Sequence, residues 1–354
     1  MNNRYLEGAI AEDLKENIGI YLLIIISLFF VTTFNVTAND IENSDDDITI
    51  TTTQDATPVA VATATATNTN QTTNNSLPIY NLFPGKSILL KYPLPENLQN
   101  IAKENIILTC NNIIIPFYIS KNKLLHAYIA ESYFSTLKPY NCSISISINN
   151  KNDITNPVIN PVTSFDIAAI NITAINYPTE YLTVNRKKLN IPKKFLNKLS
   201  TEKDRLQKIY NSSNPEPYFQ ENFRLPLNSE LTSKYGVKRI FNKKKNSFHL
   251  GLDFRAASRT PISATNDGRV VFIGNLFFSG KTIIIDHGIG IFTMYAHLSK
   301  YKIRKGVLVK KNQIIGYSGR SGRVSGPHLH WGVRIHNNWI DGQTLVQNDN
   351  LKNI

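Results

Sequence analysis

Six of the chain's seven histidines fall between His249 and His336. Four of them, with one aspartate, sit in three short blocks: Phe248-His249-Leu250-Gly251-Leu252-Asp253-Phe254, Tyr295-Ala296-His297-Leu298 and Gly326-Pro327-His328-Leu329-His330-Trp331-Gly332. Neutral imidazole is the commonest protein ligand for zinc, and a carboxylate oxygen is a frequent companion. The five side chains therefore point to one metal site. His328 and His330 are two apart in a segment that carries Trp331, Val333 and Ile335. A strand there turns both toward one face, about 7 Å apart. Either both bind one metal, or one binds while the other faces the reacting group. His249 and Asp253 are four apart, a helical spacing, but Gly251 and the β-branched surroundings argue against a helix. On a straight strand they would lie about 13 Å apart, too far to share a metal. A bend near Gly251 is expected, and glycine permits one.

The elements that position these blocks read as strands. Val270-Val271-Phe272-Ile273, Thr282 to Ile285, Gly290 to Tyr295 and Ile314-Ile315-Gly316-Tyr317 are short apolar runs, and Gly268, Gly280, Gly288 and Gly306 mark the turns between them. The region is expected to be mostly antiparallel β, with a groove as the substrate site. Lys243-Lys244-Lys245 directly precedes the first block and reads as an exposed hairpin tip, with contact to an acidic substrate as the other reading.

HLGLDF, YAHLS and GPHLHWG, with Thr260-Pro261-Ile262, Asp267-Gly268-Arg269-Val270 and Asp286-His287-Gly288 between them, resemble the LytM/lysostaphin-type zinc metallopeptidases. These are peptidoglycan endopeptidases built on a duplicated-hybrid-motif-like β domain, and the resemblance covers residues 221–345. It implies a zinc ion held by His249, Asp253 and His330, with His297 and His328 catalytic. Three protein ligands and one open position is the pattern of catalytic zinc. No HExxH glutamate is present. His328 is then the expected general base, and His297 the partner of the water or of the developing oxyanion; the two roles are exchangeable at this stage. His287 and His336 are read as structural, the latter on a surface turn beside Asn337 and Asn338. Arg259 stands where the family usually has glycine, so a reshaped turn is expected there; Gly342 replaces a common proline.

The function implied is hydrolysis of peptide cross-links in bacterial peptidoglycan, with stem peptides and cross-bridges as partners. The alternative is a non-catalytic cell-wall-binding protein that activates a separate amidase, as in relatives that have lost metal ligands. All five expected side chains are present here. A general protease acting on proteins is a third reading.

Ahead of this region the chain changes character. Ile18 to Phe34 carries no charge, and Val36-Thr37-Ala38 supplies small residues for cleavage after Ala38. Residues 1–38 read as a signal peptide or a membrane anchor through residues 18–34, although the acidic flank (Glu7, Glu12, Asp13, Glu16) is unusual for either. An exported protein, in the periplasm or on the outer face of the cytoplasmic membrane, is expected. Residues 39–76 are rich in Thr, Asn and Asp with few large apolar side chains, a disordered tether. Residues 77–176 read as a small antiparallel sandwich: Ser87 to Leu90, Ile106 to Thr109, Ile113 to Ile115, Ser143 to Ile148 and Phe165 to Ile175 are strand-like. Its Cys110 and Cys142 are the only cysteines, and in an exported protein they read as a disulfide, with two buried thiols as the other reading. His126 reads as an ordinary strand residue.

Residues 177–220 form a connector in which Phe195, Leu196, Leu199, Leu206 and Ile209 mark an amphipathic helix, with Thr201 to Arg205 on its solvated side. The zinc endopeptidase domain is placed at residues 221–348. The net charge of +13 is uneven: residues 1–38 carry −2 and residues 39–76 carry −6, which leaves +21 for the remainder. So basic a region favours a polyanionic partner. Nothing resembles a nucleic-acid-binding motif, and no nucleic-acid partner is expected.

Overall fold

The structure is a computed structural model that describes residues 77–147, 161–184 and 191–348. The expected export segment, membrane run, cleavage site and tether lie outside the described residues. Among the described residues no helix is long and apolar enough to cross a membrane. The fold is mainly β, with an antiparallel sheet in the C-terminal half preceded by a smaller β-sandwich and a helix.

The sandwich has two sheets. One runs in the order Ile79–Leu82, Pro161–Ile172, Tyr140–Ser147, Ile106–Cys110, Ile113–Ile114; the other in the order Ser87–Pro93, Leu124–Ala130, Phe117–Ile119. Alternation along each strand sends Leu108, Ile144 and Ile170 from the first sheet, and Ile88, Leu90 and Leu125 from the second, into one apolar core. The sandwich is not wholly antiparallel, because Ile79–Leu82 pairs in parallel with Ala169 to Ile172. A parallel pair needs a long crossover rather than a hairpin, and the intervening sandwich strands supply it. Cys110 and Cys142 are directly opposed on neighbouring strands and form a disulfide.

The large sheet has eight strands. Seven follow the order Leu231–Ser233, Leu252–Arg255, His328–Ile335, Ile291–Leu298, Gly280–Gly288, Gly268–Leu276, Leu308–Val309; Asn338–Ile340 adds to the end of His328–Ile335. Every pairing in it is antiparallel. The run Ile283-Ile284-Ile285 is apolar without alternation because both of its faces are covered. Ile283 and Ile285 enter the main core with Tyr295, Trp331, Val333 and Ile335. Ile284 joins Phe272, Phe292 and Met294 on the opposite face, under Leu206 and Tyr210 of the helix Leu196–Tyr210.

That helix packs on the large sheet through Leu206 and Tyr210, and part of the side expected to be solvated is engaged as well. Glu202 accepts hydrogen bonds from the Phe277 N–H at 3.2 and 3.0 Å, and the Arg205 guanidinium lies 4.9 Å above the Phe272 ring. Its first turn is looser, with Leu196 exposed. The helix covers only the part of the sheet face beneath Phe292 and Met294. Farther along the same face lie Ala296, His330 and Asp253, paired side by side across three strands. The site develops on this uncovered part.

The two halves are joined by specific bonds. Lys86 Nζ meets Asp341 Oδ2 at 2.6 Å, the Asp341 N–H donates to Gly85 O at 2.8 Å, and His336 Nε2 donates to Tyr128 O at 2.8 Å. His336 does occupy a turn, but one docked against the sandwich rather than facing solvent. His126 is a strand residue whose ring stacks on Tyr118. The run Lys243 to Lys245 forms a hairpin tip, with Lys243 and Lys244 exposed and Asn242 and Lys243 at positive φ.

Candidate metal centre

Three strands deliver the site. Asp253 and His330 are direct cross-strand partners, and Arg255 is opposite His328. Asp253, His328 and His330 therefore share one face, as the spacing of two requires. His249 lies ahead of the strand Leu252–Arg255, and the chain bends at Gly251. The bend brings His249 Nε2 to 3.2 Å from Asp253 Oδ1. The expected glycine is present for a different reason from its conformational freedom. Gly251 is not among the residues at positive φ, but a Cβ there would stand 2.4 Å from Cε1 of His330. Gly251 makes room for the ring.

His330 Nδ1 lies 2.9 Å from Asp253 Oδ1 and 3.3 Å from His249 Nε2. The three atoms form a nearly equilateral triangle, fully buried among the described residues. Tetrahedral ligands at zinc–nitrogen distances of about 2.0–2.1 Å are separated by about 3.3–3.4 Å, so the triangle fits one such ion. The donor chemistry agrees. His249 Nδ1 donates to Lys234 O at 2.7 Å, a carbonyl that can only accept, so Nε2 keeps its lone pair. Asp253 Oδ2 is buried with no hydrogen-bond partner among the described residues. Burial pushes the Asp253 carboxyl up, but the neighbouring His249 and His330 outweigh it and hold the group well below the usual carboxylate range. Burial drives His330 down, against the hydrogen bond and charge of Asp253.

His297 and His328 stand beside this triangle, with ring centroids 4.7 Å apart. His297 arrives by an irregularity. In the pairing of Ile291–Leu298 with Gly280–Gly288, Lys281 is opposite Leu298 and Ile283 opposite Tyr295, so Thr282 alone faces both Ala296 and His297. This bulge, with φ of 60° at His297, turns a side chain that regular alternation would send into the core onto the face of His330. Each of the two rings donates its Nδ1–H to a carbonyl: His297 to Ser321 O at 2.9 Å, His328 to Gly326 O at 3.0 Å. Both are thus set to present an unprotonated Nε2. That of His328 is buried, has no hydrogen-bond partner among the described residues, and lies 3.9 Å from Asp253 Oδ1. Burial and the neighbouring His328 and His330 push His297 down to about 3; burial also lowers His328.

The structure thus brings together His249, Asp253, His297, His328 and His330 and leaves out the other three histidines, His126, His287 and His336. His287 is committed elsewhere: its Nδ1 donates to Asp267 O at 2.7 Å and its Nε2 lies 2.8 Å from Thr293 Oγ1. The site also contains groups that the sequence did not reveal. Lys234 O, Ser321 O and Gly326 O fix three ring orientations, and a backbone carbonyl has no residue type to recognise. Ser233 Oγ, 3.0 Å from His249 Nδ1, is a fourth such group, to which the sequence assigned no role.

Residues 247–342 match peptidase family M23. This stretch is an M23 domain. The chain is 39% identical over 111 residues to "Peptidoglycan DD-endopeptidase ShyA" of Vibrio cholerae, a match that covers 30% of this chain and 26% of that protein. It is 40% identical over 88 residues to "DD-carboxypeptidase/endopeptidase Mpg" of Neisseria meningitidis serogroup B, covering 25% and 20%. The chain thus spans about a quarter of the length of the curated relatives it matches. A crystal structure of a putative M23 peptidase from Pseudomonas aeruginosa superposes with a TM-score of 0.55 over 75% of this chain and 95% of that one. At 20% identity, it shows that the fold is shared beyond the M23 domain itself.

Proposed function

We propose that this chain is a zinc-dependent endopeptidase that hydrolyses peptide cross-links of peptidoglycan outside the cytoplasmic membrane. The observation that carries the reading is the triangle of His249 Nε2, Asp253 Oδ1 and His330 Nδ1 with two further imidazoles turned toward it. The names of the M23 relatives, peptidoglycan DD-endopeptidase and DD-carboxypeptidase/endopeptidase, supply the substrate class. The net +21 on residues 77–354 suits an acidic wall polymer. The alternative, a wall-binding activator without catalysis, is favoured by no observation, since the full ligand set is in place.

His249, Asp253 and His330 would hold the ion. When bound, zinc lowers the pKa of a water toward 7 and polarises the scissile carbonyl. The protein's own part is proton handling. With Nδ1–H of both rings committed to carbonyls, His297 and His328 offer two acceptor nitrogens, matched to the two hydrogens of one attacking water. His328, nearest Asp253, takes the proton as general base and returns it to the leaving amine. His297 orients the water; in this tautomer it has no free N–H for an oxyanion. This favours the first of its two expected roles.

The test is digestion of purified sacculi, with mass spectrometry of the released fragments. Cross-linked dimers should fall and monomers rise, and a chelator should abolish the change. Release of sugar fragments with intact cross-links, or turnover of casein in preference to sacculi, would refute the reading.

A further inference from the structure

The back of the His249 ring is held by residues that all lie outside the M23 match. His249 Nδ1 is 2.7 Å from Lys234 O and 3.0 Å from Ser233 Oγ. Arg239 Nη2 donates to the same Ser233 Oγ at 2.9 Å, and Arg239 Nε donates to Glu180 Oε2 at 3.0 Å. Strand pairing sets up this chain of contacts. Lys238–Phe241 lies between Lys245–Phe248, which leads into His249, and Thr179–Leu182, which comes from the segment ahead of the helix. Arg239 is opposite Glu180 in the parallel pair and opposite Ser247 in the antiparallel one.

We infer that Arg239, braced by Glu180, is a positioning residue for the metal: through Ser233 it fixes the ring of His249, which makes the strand Thr179–Leu182 part of the metal centre. This rests on the metal-site reading above. A serine oxygen has two lone pairs. Arg239 occupies one, and the other is left to share, with Lys234 O, the single Nδ1–H of His249, so the serine acts as the second acceptor of a bifurcated contact that holds the ring with its lone pair on Nε2. Groups that orient a metal-binding histidine from behind in this way typically change metal affinity about 10–100-fold when removed.

Energetics point the same way. The Arg239 side chain is 3% exposed, and its Nη1 is buried with no hydrogen-bond partner among the described residues. A buried, incompletely paired guanidinium is not an arrangement that favours stability, and an apolar residue would serve that end better. Glu180, at 44% exposure, offsets the cation so that it adds no unbalanced charge beside a divalent ion. Arg239 uses two different nitrogens for two partners, a geometry that a lysine ammonium cannot reproduce.

The experiment measures zinc affinity of the full chain by competition with a chromophoric chelator. The visible spectrum of the cobalt-loaded protein serves as a readout of ligand geometry. Arg239→Ala, Arg239→Lys and Ser233→Ala should each weaken zinc binding about 10–100-fold and alter the cobalt spectrum. Glu180→Gln should have the same direction and a smaller size. A role in charge alone would be rescued by Arg239→Lys. A role in folding alone would lower the metal-free melting temperature without changing affinity. If Arg239→Lys and Ser233→Ala are folded by circular dichroism and bind zinc like the wild type, the inference is overturned. Should Arg239→Ala not fold, Ser233→Ala decides. Failure of the wild type to bind zinc, or retention of zinc by His249→Ala, would instead sink the metal-site reading itself.

Discussion

The two halves of the molecule are both β, yet they bury different things. In the sandwich the buried side chains are apolar almost throughout, and Ser87 is the one buried polar residue among those described there. The other half buries Arg239, His249, Asp253, Thr265, Asn266, Asp286, His287, His297, His328 and His330. Burying an unpaired polar group costs on the order of 1–3 kcal/mol, and a charge costs more. The sandwich behaves as a body selected for stability, closed by a disulfide. The other half accepts that cost because its polar groups hold one another in a geometry that chemistry uses. Asp253 Oδ2 and His328 Nε2, both buried and unpaired, mark where the accounting is left open.

The strongest way to break this contrast is to remove the metal and its attendants. His249→Ala, Asp253→Ala and His330→Ala should each lose metal and all activity. His328→Ala and His297→Ala should keep the metal and lose about 10²–10⁴-fold in activity, the usual worth of a positioned acid–base group. Metal analysis beside a sacculus assay separates the two classes. Loss of metal in both of the latter variants would mean that the division between ligands and proton carriers is wrong. A chelator should destabilise the large-sheet half alone, by about 4 kcal/mol if metal had been present at a thousand times its Kd. Hydrogen exchange in the sandwich strands should not respond.

The disulfide offers the converse perturbation. Cys110 and Cys142 close a separation of 32 residues. The chain-entropy model gives such a loop about 3–4 kcal/mol. The double Cys→Ala variant should lower the denaturation midpoint of the sandwich by that amount and leave zinc content unchanged. Changed metal affinity would show that the halves are coupled more tightly than their contents suggest.

The grouping of the candidate side chains was legible in the sequence because each motif is local, whereas the choice of His249, Asp253 and His330 as ligands rested on the family resemblance. His249 and Asp253 share one bend, His328 and His330 share one strand, and spacing alone puts the second pair on one face. What was not legible depends on pairing between distant strands. The bulge at His297 exists only because Thr282 faces two residues, and nothing in Tyr295-Ala296-His297-Leu298 announces it. The grip on His249 by Glu180 and Arg239 needs the parallel pairing of a segment read only as connector. The helix was legible from its period, but not the hydrogen bonds of Glu202, which depend on where the strand turn at Phe277 lies.

Acid should sharpen the contrast further. Burial pushes His287 down to about 4 in the folded state, against an ordinary value of 6.5. Between these two values the unfolded chain binds more protons, so stability rises with pH across the window and falls as pH drops from 6.5 to 4. The full effect is about 3 kcal/mol at 1.36 kcal/mol per unit. In metal-free protein, His287→Gln should flatten the slope of unfolding free energy against pH in that window by up to one proton. An unchanged slope would assign the acid sensitivity to other groups, of which His126 and His336, both pushed down to about 4, are the first to test.

The smallest effect concerns Arg259, where a reshaped turn was expected in place of the family's glycine. The turn keeps a backbone that suits glycine: Arg259 adopts φ of 73°, its N–H donates to Ser318 O at 2.8 Å, and the Ser318 N–H donates back to Thr260 O at 2.9 Å. The flanking strands Pro261–Ser263 and Ile314–Tyr317 pair in register through Pro261 and Tyr317, which leaves the turn little freedom to move. Holding an L-residue in this region costs about 1–2 kcal/mol. Glycine would remove that strain but raise the entropy of the unfolded chain by about 0.5–1 kcal/mol. Arg259→Gly should therefore stabilise the protein by at most about 1.5 kcal/mol, with metal content and activity unchanged. Chemical denaturation resolves a gain of that size when the slope of the transition is unchanged. If the substitution weakens activity on sacculi while leaving a small cross-linked peptide unaffected, the strain is retained for the guanidinium's contact with the wall polymer. The boundary between the two kinds of buried and strained residue would then reach the surface of the turn.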